Sequence, residues 1–220
     1  MQLSVLQSKV RYLLGDLSSD NYSDTNLTRS LNDGQHHATS VAITASGQWE
    51  VNGDISTTNL VAGQNEYIFP SDLIRITKIE VNTPGGTTTW DTANIKNEKM
   101  RTMSNFVTDS TGQNTVYLFD NSIFFEEAPA SAVTAGLKIW YSKEATELSS
   151  ASDEPTLPEQ LHMYLIYWAC LEYSLRISDE KMINTYTNLQ LKKENEIREY
   201  YTNRLSTDRP GIRTRRENYN

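Results

Sequence analysis

Apolar residues recur at three- and four-residue steps at both ends of the chain and at two-residue steps in its middle. Leu3, Leu6, Val10, Leu13 and Leu14 form the first stripe. Side chains three and four apart share a helical face, so residues 3–14 are predicted as a helix with Gly15 as its stop. Asp24 is placed as the N-cap of a second helix, because its carboxylate can accept the free N–H groups of a first turn. Leu27, Leu31, Ala38, Val41, Ala42 and Ala45 make its stripe, up to a stop at Gly47. Gly34 lies inside it and costs about 1 kcal/mol relative to Ala.

From Trp49 the period shortens. Trp49-Glu50-Val51 and Tyr67-Ile68-Phe69 alternate, and 74–81 reads as a half-buried strand with Ile and Val on one face and Arg, Lys and Glu on the other. Pro84-Gly85-Gly86 predicts a turn into a return strand over 87–90, followed by a short helix over 92–104. Residues 115–119 and 122–125 make a hairpin about Asp120-Asn121, with a further strand at 136–141. The middle thus reads as a small antiparallel β unit.

Helix resumes after Asp153-Glu154-Pro155-Thr156-Leu157-Pro158. Pro158 suits a first helical position, where its missing N–H would have had no partner, and Glu159 complements the helix dipole. Leu161, Leu165, Trp168, Ala169 and 172–175 carry this helix to Ile177. Ser178 is placed as the cap of a last helix running through Met182, Tyr186, Leu189, Ile197, Tyr200, Tyr201 and Leu205. The predicted fold is α+β: a helical bundle built from both chain ends, a central antiparallel β insertion and an extended C-terminal tail. The boundaries fall at 1–48 and 158–208 for the helical domain, 49–157 for the insertion and 209–220 for the tail. Leu6, Val10, Leu13, Leu27, Leu31, Leu161, Leu165, Trp168, Leu189 and Ile197 are its expected helical core.

Only 37% of the 220 residues are hydrophobic, which fits polar loops or burial completed against neighbouring subunits. The net charge of −8 argues against a whole-surface nucleic-acid binder. Its distribution is uneven: residues 49–157 hold fifteen acidic and seven basic side chains, whereas 204–220 hold five arginines against Asp208 and Glu217. No basic segment followed by an apolar run opens the chain, and no stretch is long enough to cross a bilayer. A protein made in a cytoplasm and free of membranes is expected.

Chemistry is sparse. Cys170, the one cysteine, rules out an internal disulfide and reads as a buried small hydrophobe. Phosphate-cradle and nucleophile-elbow motifs are absent from the sequence. His36 and His37 diverge by about 100° on a helix and cannot easily share a metal, with His162 remote; no metal or cofactor is expected. Asp153-Glu154 and Glu126-Glu127 could supply two carboxylates for glycoside hydrolysis, but adjacent acids on polar segments lack the apolar pocket that keeps one protonated. Trp90 and Trp140 could stack sugars; their apolar neighbours favour core or inter-subunit packing. The tail bears Arg209, Arg213, Arg215 and Arg216, a flexible arm that can order against a partner's carboxylates or touch DNA phosphates.

The order of parts carries a resemblance. An N-terminal helix precedes a helix ending near Trp49, and Phe69-Pro70-Ser71-Asp72-Leu73-Ile74-Arg75-Ile76 leads into the insertion's strand. Ile139-Trp140-Tyr141-Ser142-Lys143-Glu144-Ala145, Leu148 and Ser152-Asp153-Glu154-Pro155-Thr156-Leu157-Pro158 then lead into Glu159-Gln160-Leu161-His162 and an aromatic, alanine-containing helix. With its long final helix and polar tail, the chain resembles the head-to-tail adaptor (connector) proteins of tailed bacteriophages. That resemblance implies a non-enzymatic ring, usually of twelve subunits, in the virion neck. The ring would lie beneath the portal, prolong the DNA channel and offer a platform for the tail, after assembly in the host cytoplasm. The implied partners are the portal protein, tail or nozzle proteins, further copies of the chain, and genomic DNA passing without sequence specificity. Residues 204–220 become a portal-docking arm, with Arg209, Ile212, Arg213, Arg215, Arg216 and Tyr219 as contacts, and the β insertion would face outward or towards tail components. The competing readings are a virion carbohydrate- or receptor-binding β module and a weak cell-wall hydrolase.

Overall fold

The computed structural model describes residues 1–15, 21–45, 52–82, 90–96 and 115–203. The expected strand at Trp49-Glu50-Val51, the turn at 84–86, most of the helix at 92–104 and the whole tail lie outside them. The chain divides into two compact units, Met1–Val51 with Ala145–Asn220, and Asn52–Glu144. The first is helical and the second is β, so the protein is α+β.

The helical unit holds α1 (Leu3–Leu14), α2 (Asp24–Ala45), α3 (Met163–Ile177) and α4 (Glu180–Asn203). Leu6, Val10, Leu27, Leu31, Leu161, Leu165 and Ile197 are buried in one cluster, with Trp168 and Leu189 half-buried against it. Burial of each aliphatic side chain contributes about 1.5–3 kcal/mol. Leu13 departs from expectation: it is 38% exposed, because α1 turns Leu3, Leu6, Val10 and, in part, Leu14 to the core. Gly15 closes α1 in the left-handed conformation at φ 68°, which costs glycine little.

Three caps differ from the sequence reading. Ser23, not Asp24, stands outside α2: its carbonyl accepts the Leu27 N–H and its hydroxyl faces the Asn26 N–H. Asp24 has turned to Arg11 (2.6 Å). Pro158 precedes a 3-10 turn, Glu159–Leu161, rather than opening the helix; its ψ of 141° is extended, and its carbonyl takes the Leu161 N–H at 2.8 Å. Ser178 closes α3 in the left-handed region (φ 58°), and Asp179 caps α4 by accepting the Met182 N–H at 3.0 Å. Gly34 is a packing requirement: a Cβ there would meet three Trp168 side-chain atoms at 3.0–3.1 Å.

The return segment 145–157, assigned from sequence to the insertion, packs with the helices. Side-chain amides of α2 hold it there. Asn32 exchanges two hydrogen bonds with the Leu148 backbone, and buried Gln35 donates to the Thr146 carbonyl and accepts from the Thr156 N–H. The segment in turn caps α1, since Leu3 and Ser4 donate their N–H groups to the Asp153 and Ala151 carbonyls. Backbone groups with no ladder to join are thereby satisfied.

The β unit is two four-stranded sheets rather than one antiparallel unit. The first has the order β1 (Gly53–Leu60), β8 (Val133–Lys143), β3 (Leu73–Asn82), β4 (Trp90–Thr92); the second runs β2 (Glu66–Ile68), β7 (Ser122–Phe125), β6 (Thr115–Phe119), β5 (Asn94–Lys96). β5 pairs parallel to β6, where the described part of the expected 92–104 helix would have lain; the segment is too polar and too short to present a helical stripe. β6 and β7 form the expected hairpin, with Asp120 at φ 52°. The alternation along β3 is not clean. Its register slips at Leu73/Arg75 and again at Ile76/Lys78, so Ile79 and Val81 face the core while Ile74 is exposed. A bulge resets which parity points inward. Leu60, Tyr67, Val116, Ile123, Leu137 and Ile139 help to fill one core that both sheets share.

Candidate functional site

Four helix ends meet at one pole of the helical unit. Arg11, in the last turn of α1, donates to the Tyr22 carbonyl (2.8 Å) and the Asp24 carboxylate at the start of α2. Arg176, in the last turn of α3, donates to the Asn21 carbonyl at 2.8 Å. The Tyr186 hydroxyl, early in α4, donates to the Leu13 carbonyl at 3.1 Å. These bonds tie the end of α1, the start of α2, the end of α3 and the start of α4 together.

That pole carries Tyr12 (78% exposed), Leu175 (55%), Ile177 (46%) and Leu13. A single exposed apolar side chain is ordinary. Four of them lie on the ends of α1 and α3, which these hydrogen bonds fasten together. An open cleft of about 370 Å³ adjoins them, lined by Tyr22, Arg29, Asp33, Glu172 and Arg176 among others. Each carboxylate shares that cleft with a guanidinium, which makes a polar rim. Tyr22 gives its hydroxyl hydrogen to Ser30 (2.6 Å), and burial pushes its phenol up to about 12, so it stays protonated at neutral pH.

Asp153, His37 and His162, weighed for catalysis or metal binding, have other partners. Asp153 accepts the Ser149 and Ser150 N–H groups at 2.8 and 2.7 Å, and these bonds hold its carboxyl below the usual range. It pins a turn. The His37 ring lies 4.8 Å from Trp168 and within hydrogen-bond reach (2.7 Å) of the Tyr164 hydroxyl. His162 sits between the Leu157 carbonyl (2.7 Å) and the chain's terminal ammonium (3.1 Å). A donor on one side and a carbonyl on the other fit neutral imidazole with its hydrogen on Nε2, and burial lowers its pKa. Cys170 is fully buried, and burial pushes its thiol up to about 12. Among the described residues no group of three or more His, Cys, Asp or Glu side chains could hold a metal ion, and no helix is long and apolar enough to cross a membrane.

Trp90 and Trp140 lie outside the β core, the first of the two uses their apolar neighbours suggested. Trp140 lies on the partly exposed face of the first sheet and donates its indole N–H to Glu80 at 2.8 Å. Lys138 places its ammonium 3.6 Å above the Trp90 ring, which occupies a face a sugar would stack on. Trp168 is half-buried on Gly34, with its N–H donated to Glu172. Trp49 lies outside the described residues.

Of the residues singled out by sequence, Arg209, Ile212, Arg213, Arg215, Arg216 and Tyr219 fall outside the described part of the chain. The apolar pole was missed. Its signal was present: Tyr12 lies off the Leu3-Leu6-Val10 stripe, and Leu175 and Ile177 crowd the last turn of α3.

No curated protein matches the chain. A family model described as SU10 adaptor protein matches residues 1–216, which takes in both units and most of the basic arm. The chain belongs to the SU10 adaptor protein family, the structural adaptors of phage virions.

Proposed function

We propose that the protein is a head-to-tail adaptor whose copies close into a ring, twelve in number, beneath the portal. There it prolongs the DNA channel and serves as the tail's attachment platform without catalysing a reaction. The observation that carries this reading is a family match spanning almost the whole chain. Exposed apolar side chains at helix ends, Tyr12, Leu13, Leu175 and Ile177, support it as area available for contact with other copies or other virion proteins. In a closed ring each copy meets its neighbours through two different patches. A net charge of −8 suits a channel wall that DNA must slide past. The arm from Arg204 onward reaches the portal through Arg209, Arg213, Arg215 and Arg216, with Ile212 and Tyr219 as apolar contacts.

Native mass spectrometry of the protein, alone and mixed with its portal, tests the reading. Binding to the portal with a stoichiometry that matches the portal's own symmetry is the expected result; failure to bind would overturn it. Deletion from Arg209 is expected to weaken that binding, more at low salt than at high salt, because screening already removes part of the arm's contribution there. Undiminished affinity would remove the docking arm.

A further inference from the structure

We propose that the outer edge of β1 is a strand-addition site, filled by an extended segment of a different virion protein. The choice of a different protein over a second copy rests on the ring-adaptor reading; the edge itself does not.

β1 ends the first sheet and, among the described residues, pairs only with β8. In an antiparallel pair, residues that bond to the neighbouring strand alternate with residues whose N–H and C=O groups point away from it. Two bonds fix the phase. The Lys143 N–H donates to the Asn52 carbonyl, so the even-numbered residues from 52 to 58 face β8. The Ile55 N–H donates instead to the Asp54 carboxylate at 2.8 Å, as an amide outside the ladder does. Gly53, Ile55 and Thr57 therefore turn their backbone groups outward, and all three are exposed. From Gly53 to the bulge after Thr58 this edge is about 17 Å long. Donors and acceptors repeating every two residues match one kind of ligand, an extended polypeptide backbone.

The other sheet edges differ. β2, β4 and β5 have three residues each, and shortness blunts an edge. β1 has eight, and Gly53–Leu60 contains neither Lys nor Pro, the residues that discourage strand addition. Asp54 is its one charge, and Lys143 on β8 holds that carboxylate at 2.7 Å. An added strand would also extend a side-chain row. Ile55 is 43% exposed although Trp140 stands opposite it on β8. Its open flank suits a β-branched or aromatic side chain on the incoming segment.

A second copy fits less well. Among the described residues the chain offers one long free edge, β1 itself. β1 against β1 is a twofold contact that closes at two copies and builds no ring.

The first test needs no variant. Hydrogen exchange over residues 53–60 is compared between the protein free in solution and in purified virions. The outward amides are expected to slow about tenfold or more in the virion; unchanged exchange would overturn the inference. To identify the occupant, Thr57→Cys is labelled with a benzophenone, Cys170 being buried, and virions carrying it are irradiated. The expected cross-link is to a different virion protein, and one to this chain's own sequence would overturn the proposal. Thr57→Pro removes one outward N–H and leaves the bonds to β8 in place. It should keep its melting temperature while incorporation into particles of a phage lacking the gene falls about tenfold. Thr57→Lys, which keeps the N–H but adds an edge charge, should act in the same direction if the proline variant is unstable. Normal incorporation of both would overturn the site. Wild-type virions with no adaptor between portal and tail would instead defeat the ring-adaptor reading, and slowed exchange at 53–60 would still mark the edge as occupied.

Discussion

The two units expose apolar side chains in different ways. Among the described residues of the helical unit, Tyr12, Leu13, Leu175 and Ile177 lie at one pole, and Val5 and Leu191 stand apart. In the β unit they follow the strand ladders: Ile55 is the register partner of Trp140, Ile68 and Phe119 flank Ser122 from its two sides, and Val61 and Ile74 lie elsewhere. Several have local company, such as Phe119 beside Phe124 and Trp140 hydrogen-bonded to Glu80. Cross-strand neighbours cover one another in part, whereas side chains on helix ends joined by hydrogen bonds have no such ladder beneath them. The helical unit also binds an irregular segment through side-chain amides, while the described strands of the β unit pair through backbone ladders.

That contrast can be broken or sharpened by experiment. The largest effect is expected from Leu31→Ala, which opens a cavity in the fully buried helical core and should cost about 3 kcal/mol by urea denaturation. Tyr12→Ser, on the exposed pole, should cost less than about 0.5 kcal/mol. Equal losses would mean that the pole is part of the fold. Gln35→Leu comes next. It strands the Thr156 N–H and the Thr146 carbonyl, a penalty of about 2 kcal/mol, and hydrogen exchange at the Thr156 amide should accelerate while the β-sheet amides keep their protection.

A smaller effect concerns His162. Its pKa is lowered from the ordinary 6.5, chiefly by burial, so the unfolded chain takes up the proton first as pH falls. Its contribution is fully present above pH 6.5 and is lost as pH drops through that value towards the lower folded pKa. Melting temperature should decline as pH falls below 6.5, and His162→Gln should flatten that decline. Asp153 acts in a separate, more acidic window, because its folded pKa is lowered beneath 3.8. The smallest change is expected from Trp140→Phe, which removes one indole hydrogen bond to Glu80 at the surface and should cost under about 1 kcal/mol. A larger loss would place Trp140 in the β core after all.

How far sequence could reach follows the same division. The helical stripes were legible because 3.6-residue periodicity survives over long segments: Leu6, Val10, Leu27, Leu31, Leu161, Leu165 and Ile197 all lie inside. The caps were displaced by one residue, since Ser23 and Asp24 or Ser178 and Asp179 are equally capable neighbours and only the geometry chooses. Strand β1 escaped notice because Gly53–Leu60 is mostly polar, with exposed residues along most of its length. In β3 the bulges erased a two-residue period that the letters 74–81 appeared to offer. The packing role of Gly34 depends on Trp168, 134 positions away, and no local pattern encodes it. The pole was missed for a related reason: that Tyr12, Leu175 and Ile177 lie off the core stripes was legible, but not that the ends of α1 and α3 come together.

The central claim is that copies of this chain form a closed ring between portal and tail. A cryo-electron microscopy reconstruction of the virion neck tests it most directly. The account predicts density for this fold repeated in a ring directly beneath the portal. Finding the chain at another site in the particle, or as an isolated copy at the vertex, would contradict it.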